Sequence, residues 1–270
     1  MKFQMVSPSG ILKDYIRHYC FMETGSAEPD IMERVIPMDN VQLMFHYKNP
    51  FIVVHENSAD MQPRSILSGL TDTFSDVTTH GESGVVFVSF LPAGACHFFR
   101  FSLSEIENTS INLSEILYNE TRQIEDALYC AGSNEARVHI IEQFLLHHFS
   151  PIDAYDRHLL NNGLQLIRRC KGQTSAFGLS EQLATTPKNL ERKFSRYLGK
   201  TTKQVIKLVR FQEILRDFSE HKNIRLTDRA YNNGYFDQAH FIKDFKSYCG
   251  YTPGEFSARY PDFSMNGESC

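Results

Sequence analysis

Five residues recur in the same order 51 positions apart in the last third of this chain. Leu190, Phe194, Tyr197, Gly199 and Thr201 align with Phe241, Phe245, Tyr248, Gly250 and Thr252. In each set the first two residues share one face of a helix, an aromatic follows one turn on, and a glycine ends the run. The spacing predicts two copies of one helical unit, each burying one face of its main helix and leaving the other free.

Charge follows the same partition. Residues 1–152 carry 9 basic and 19 acidic side chains, whereas residues 153–270 carry 19 and 13. The densest stretch is 188–210, where Lys188, Arg192, Lys193, Arg196, Lys200, Lys203, Lys207 and Arg210 face only Glu191. A basic module tied to an acidic one fits a nucleic-acid reader joined to a domain that stays off the phosphates. Two helix-turn-helix units suit two successive segments of a major groove.

The bulk composition, 41% hydrophobic and 22% charged over 270 residues, allows two ordinary soluble domains. No run approaches a membrane span, and the N-terminus MKFQMVSPSG lacks a signal-peptide core. The expectation is a cytoplasmic, nucleoid-associated protein with no membrane partner. Cys20, Cys96, Cys130, Cys170, Cys249 and Cys270 show no CxxC spacing and read as reduced packing residues.

The pattern predicts an α+β chain. Up to about residue 105, short runs at Gln42–Tyr47, Phe51–His55, Ser65–Leu70 and Gly84–Leu91 alternate with Pro, Gly, Asn and Asp, which suggests a β-rich sandwich or barrel. Val85–Phe90 reads as a buried strand. Helical periods follow at Ile111–Leu117, Gln123–Leu128 and Glu135–His148. Ser150–Pro151 breaks the chain, which places a sensing or dimerising domain at 1–150, an all-α domain at 151–262 and a tail at 263–270. In the second domain a long helix from Thr202 to Phe218 joins the two units, and Thr186–Pro187 marks a helix start. The recognition helices are expected at about 187–198 and 237–248.

The stretch Ala230-Tyr-Asn-Asn-Gly-Tyr-Phe-Asp-Gln-Ala-His-Phe-Ile-Lys-Asp-Phe-Lys-Ser-Tyr-Cys-Gly-Tyr-Thr-Pro253 resembles the signature of AraC-type transcriptional regulators, and Leu179–Phe194 matches it in degraded form. The resemblance implies a transcription factor, not an enzyme, with double-stranded DNA as partner and contact with RNA polymerase. It places base-contacting positions on Lys188, Glu191 and Arg192 and on Gln238, Ala239, His240 and Lys243. Counting outward from the buried anchors adds Asn189. Arg or Lys suits guanine, and Asn or Gln suits adenine. Arg196, Lys200, Lys203 and Lys246 are assigned to phosphates.

Three departures carry their own expectations. Ala184 stands where the first turn usually has Gly, so that turn must avoid positive φ or accept strain. Arg229 occupies an apolar position, so it must snorkel or contact the DNA backbone. Phe236 replaces the usual hydroxyl cap, leaving Asp237 to cap the second recognition helix.

In the first half, Glu33–Phe45 and Val88–Ala95 are similar to an uncharacterised domain found ahead of AraC-type modules. That similarity implies a role in small-molecule sensing or homodimerisation. His46, His55, His80 and His97 lack metal spacing, and no P-loop, GxGxxG or GxSxG occurs, so no metal, cofactor or catalytic residue is expected. The alternatives are a cupin-like metal-dependent enzyme and a pure protein–protein adaptor.

Overall fold

A computed structural model describes residues 1–26, 28–221 and 224–263. Residues 264–270 of the expected tail, Cys270 included, lie outside the described residues. Among the described residues no peptide bond is cis.

The first half builds two antiparallel sheets. Strands β1 (Lys2–Val6), β2 (Ile16–Glu23), β4 (Gln42–His46), β7 (Ser65–Ser68), β9 (Gly84–Phe90) and β10 (Ser110–Asn112) form the larger, in the order β1-β2-β9-β4-β7-β10. Strands β3 (Met32–Val35), β5 (Ile52–Val54), β6 (Ala59–Met61) and β8 (Ser75–Thr78) form the smaller, ordered β3-β8-β5-β6. The run expected to be a buried strand is β9, near the middle of the larger sheet. Its residues divide by parity: Val86, Val88 and Phe90 enter the main core, and Val85 and Phe87 enter a second cluster with Cys20, Met44, Phe51 and Ile66. Both faces are covered, which is why this strand is continuously apolar. Helices α1 (Tyr118–Cys130) and α2 (Asn134–His148) close the main core with Ile124, Leu128, Val138, Ile141 and Leu145.

One element differs from expectation. Ile111–Leu117 is not a helix, because Ser110–Asn112 pairs with Ile66–Ser68 and only Leu113–Glu115 winds into a 3-10 turn. Short apolar runs are ambiguous in period, and here the free edge of β7 decides.

The second half is helical: α3 (Ala154–Arg169), α4 (Ala176–Gln182), α5 (Pro187–Leu198), α6 (Thr202–Glu220), α7 (Leu226–Asn232), α8 (Gln238–Cys249) and α9 (Pro253–Arg259). The 51-residue repeat is structural. Gly199 and Gly250 cap α5 and α8 with φ of 80° and 77°, and Thr201 and Thr252 open α6 and α9 with capping boxes to Gln204 and Glu255. A residue with a Cβ resists the left-handed region, so glycine recurs at that point. Helix α6 runs through both units. Val205, Ile206 and Val209 enter the core of the first, and Leu208, Phe211, Ile214, Leu215 and Phe218 that of the second.

The turn of the first unit does accept strain. Ala184 has φ 49°, against 74° for Gly234 at the corresponding turn. Ala184→Gly should therefore raise the unfolding free energy by about 0.5–1 kcal/mol, the relief of left-handed strain less the added freedom of the unfolded chain. Urea titration measures it, and an unchanged or lower midpoint would contradict the strain assignment.

Candidate nucleic-acid interface

Each unit seats its main helix by the residues the repeat singles out. Leu190 and Phe194 on α5, and Phe241 and Phe245 on α8, are fully buried. Ser180 on α4 and Ala230 on α7, both about 1% exposed, leave room for the supporting helices to approach. The Thr186 hydroxyl caps α5 by accepting from the Asn189 amide at 3.1 Å. Asp237 caps α8 by accepting from the His240 amide at 2.7 Å. Phe236, freed from capping, is 88% exposed.

With one face buried, the N-terminal half of each helix presents the other. Lys188 and Arg192 are exposed on α5, and Ala239, His240 and Lys243 on α8. Arg192 and Lys243 are repeat equivalents, so each unit displays a cation at the same point of its main helix. Arg192 is held there: its Nη2 donates to Asn189 Oδ1 at 2.9 Å, and Asn189 Nδ2 donates to Thr185 Oγ1 at 2.9 Å. In the second unit Gln238 Oε1 accepts from Thr227 Oγ1 at 3.0 Å. Both amides are thus tethered by a threonine of the preceding turn or helix. Neither threonine stood out in the sequence, because single hydroxyls at these offsets carry no recognisable spacing.

One expected contact does not survive. Lys200, assigned to a phosphate, is 1% exposed and faces the first half of the chain. Its Nζ donates to Asp72 Oδ2 at 2.7 Å, Asn108 Oδ1 at 2.7 Å and Glu107 Oε1 at 3.1 Å. Glu191, expected at a base, is half-buried and accepts from the backbone N–H of Thr202 at 3.1 Å. There it satisfies an orphan donor in the first turn of α6. Arg229 also departs from expectation, since it neither snorkels nor faces outward. At 1% exposure it pairs with Asp217, donates to the His221 carbonyl at 2.6 Å and lies 3.8 Å over the Phe218 ring.

The basic stretch divides accordingly. Lys188, Arg192, Arg196 and Lys203 are exposed. Lys193 pairs with Asp156, Lys207 lies 3.7 Å from Asp244, and Arg210 donates twice to the Gly172 carbonyl. Lys246 is exposed on α8.

Elsewhere, no group of three or more His, Cys, Asp or Glu among the described residues could hold a metal. Cys96, Cys130, Cys170 and Cys249 are free thiols, and burial pushes the Cys96 thiol up to about 12, far from the thiolate a nucleophile needs. No helix among the described residues is long and apolar enough to cross a membrane.

Comparison with known proteins bears on both halves. Residues 179–259 match the family described as a helix-turn-helix domain, and residues 4–112 match one described as a domain of unknown function. Among solved structures, ToxT from Vibrio cholerae O395 is 12% identical, with 87% of this chain and 96% of that one covered and a TM-score of 0.45. The C-terminal domain of AraT, a response regulator from Geobacillus stearothermophilus, is 18% identical over 45% of this chain and 95% of its own, with a TM-score of 0.37. An AraC-type transcriptional regulator from Chromobacterium violaceum is 17% identical over 43% and 100%, also at 0.37. No curated protein matches the sequence. The matched helix-turn-helix segment, residues 179–259, spans both units and the shared helix α6.

Proposed function

We propose that this chain is a sequence-specific transcriptional regulator whose 151–262 region inserts α5 and α8 into successive major-groove segments of double-stranded DNA. The observation that carries this reading is the free cation at the same point of two repeat-related helices, Arg192 on α5 and Lys243 on α8, each on a seated helix with its outer face open. Lys188, Asn189, Arg192, Gln238, Ala239, His240 and Lys243 form the base-facing set, with Asn189 also orienting Arg192. Arg196, Lys203 and Lys246 serve phosphates. Glu191 supports α6 rather than a base.

The 1–150 region is assigned to sensing a small molecule or to pairing with a second copy, and RNA polymerase is the downstream partner the family reading implies. Selection of random duplexes with the full-length protein should recover a site of about two helical turns, bound with steep salt dependence. Arg192→Ala and Lys243→Ala should each weaken binding to that site by about 1–3 kcal/mol and relax preference at one position. Parental affinity in both variants would sink the base-facing assignment.

A further inference from the structure

The first half of the chain touches both helix-turn-helix units, and it does so at the same point of the repeat. At Gly199, which ends α5, an added Cβ would sit 2.8 Å from the Leu103 carbonyl oxygen. At Gly250, which ends α8, it would sit 2.5 Å from Arg34 Nη1 and 2.5 Å from Phe74 Cε1. Each recognition helix is therefore gripped at its glycine cap by the β-rich half.

Polar contacts complete each grip. Beside Gly199, Lys200 donates to Asp72, Glu107 and Asn108, and Gln204 Nε2 donates to Glu107 Oε1 at 2.6 Å and Asp72 Oδ2 at 3.2 Å. Beside Gly250, Arg34 forks onto Asp76 with two bonds of 2.7 Å and donates to the Cys249 carbonyl at 3.4 Å. Its guanidinium lies between Phe74, at 3.9 Å, and Tyr251, at 4.4 Å. Asp72 belongs to the first grip and Phe74 to the second, while Leu70 packs into the second unit's core. Five consecutive residues of one connection, Leu70 to Phe74, thus bridge the two units outside α6.

We infer that the 70–74 segment, with Lys200 and Arg34 as its positioning residues, is a gauge that sets the separation and relative rotation of the two recognition helices. Helix α6 joins the units through one rod, and beside it Gln173 Nε2 donates an exposed hydrogen bond to the Asn232 carbonyl at 2.9 Å, which together hold bending and twisting between the units only weakly. A second connection at equivalent points of both helices removes that freedom, and duplex readout by two helices is sensitive to it. One base pair of extra spacing rotates the second half-site by about 34°. The inference rests on the two-helix reading above.

The test uses the full-length protein, its selected site, and versions of that site with one base pair added or removed between half-sites. Parent protein should prefer the selected spacing by about tenfold or more. Lys200→Met combined with Asp72→Ala removes the ion pairs of the first grip without leaving the lysine charge unpaired, and Arg34→Ala combined with Phe74→Ala removes the side-chain contacts of the second. Each should cut the spacing preference to about threefold or less while single half-site binding stays within about twofold of parent. Where either pair unfolds on heating well below the parent, Glu107→Gln and Arg34→Gln replace them and carry the same expectation. Undiminished spacing preference, or loss of half-site binding in step with it, overturns the gauge. Failure of the parent to select any bipartite site overturns the two-helix reading instead.

Discussion

Arg229→Ala is expected to lower the unfolding free energy by about 3–5 kcal/mol, the range for breaking a buried ion pair on one side. The guanidinium is 1% exposed, and its partner Asp217 is itself largely covered. Two further contacts go with it, the donation to the His221 carbonyl and the stacking on Phe218. These contacts tie α7 to the far end of α6, and α7 in turn supports α8. Arg229→Met keeps most of the volume and should cost about half as much, because only the charge and its hydrogen bonds are lost. Urea titration of both variants decides it. A cost below about 1 kcal/mol for the alanine variant would show that the pair is not the anchor of the second unit.

Acid is expected to be the other large perturbation. Burial drives the pKa of His46 from 6.5 down to about 4, against which its hydrogen bond to Gln62 acts only partly. Burial, followed by the charge of Arg157, does the same to His97, and His18 shifts in the same direction. Nδ1 of His46 and of His97 has no hydrogen-bond partner, so a second ring proton would be buried without an acceptor. These side chains stay neutral in the folded chain but take up a proton near pH 6.5 once unfolded. Their contribution is therefore complete above pH 6.5 and is lost as pH falls toward 4. For His46 alone the loss approaches about 3 kcal/mol across that window. Unfolding midpoints measured from pH 7.5 to 4.5 should fall, and His46→Gln should flatten the slope. A profile that the substitution leaves unchanged would clear His46 of the role.

Much of the helical half was legible before any coordinates. Amphipathic spacing, a threonine–proline start and a glycine stop act within one or two turns, so the limits of α5 and α8 fall within a residue of those expected. Asp237 as a cap was readable for the same reason, since capping is settled by neighbours three residues away. The β-rich half was less legible. Strands β4, β5, β7 and β9 carry apolar runs and were found. By contrast, β3 and β6 are mostly exposed and owe their form to pairing partners far off in the chain. Ile111–Leu117 failed similarly, claimed by the edge of β7.

The candidate interface shows the same division. Arg192 and Lys243 follow from position in the repeat. The loss of Lys200 does not, because nothing near it in the chain distinguishes it from Lys203, which is exposed.

The chain by itself determined the two-unit repeat, the helix starts and stops, and which face of α5 and of α8 turns inward, because these depend on periodicity and on hydrogen bonds between close neighbours. Only the tertiary structure decided which cations stay free. Lys200 is withdrawn by Asp72, Glu107 and Asn108, which lie 128, 93 and 92 residues away. A lysine's charge is a property of its type, but its availability depends on which carboxylates the fold brings within about 3 Å.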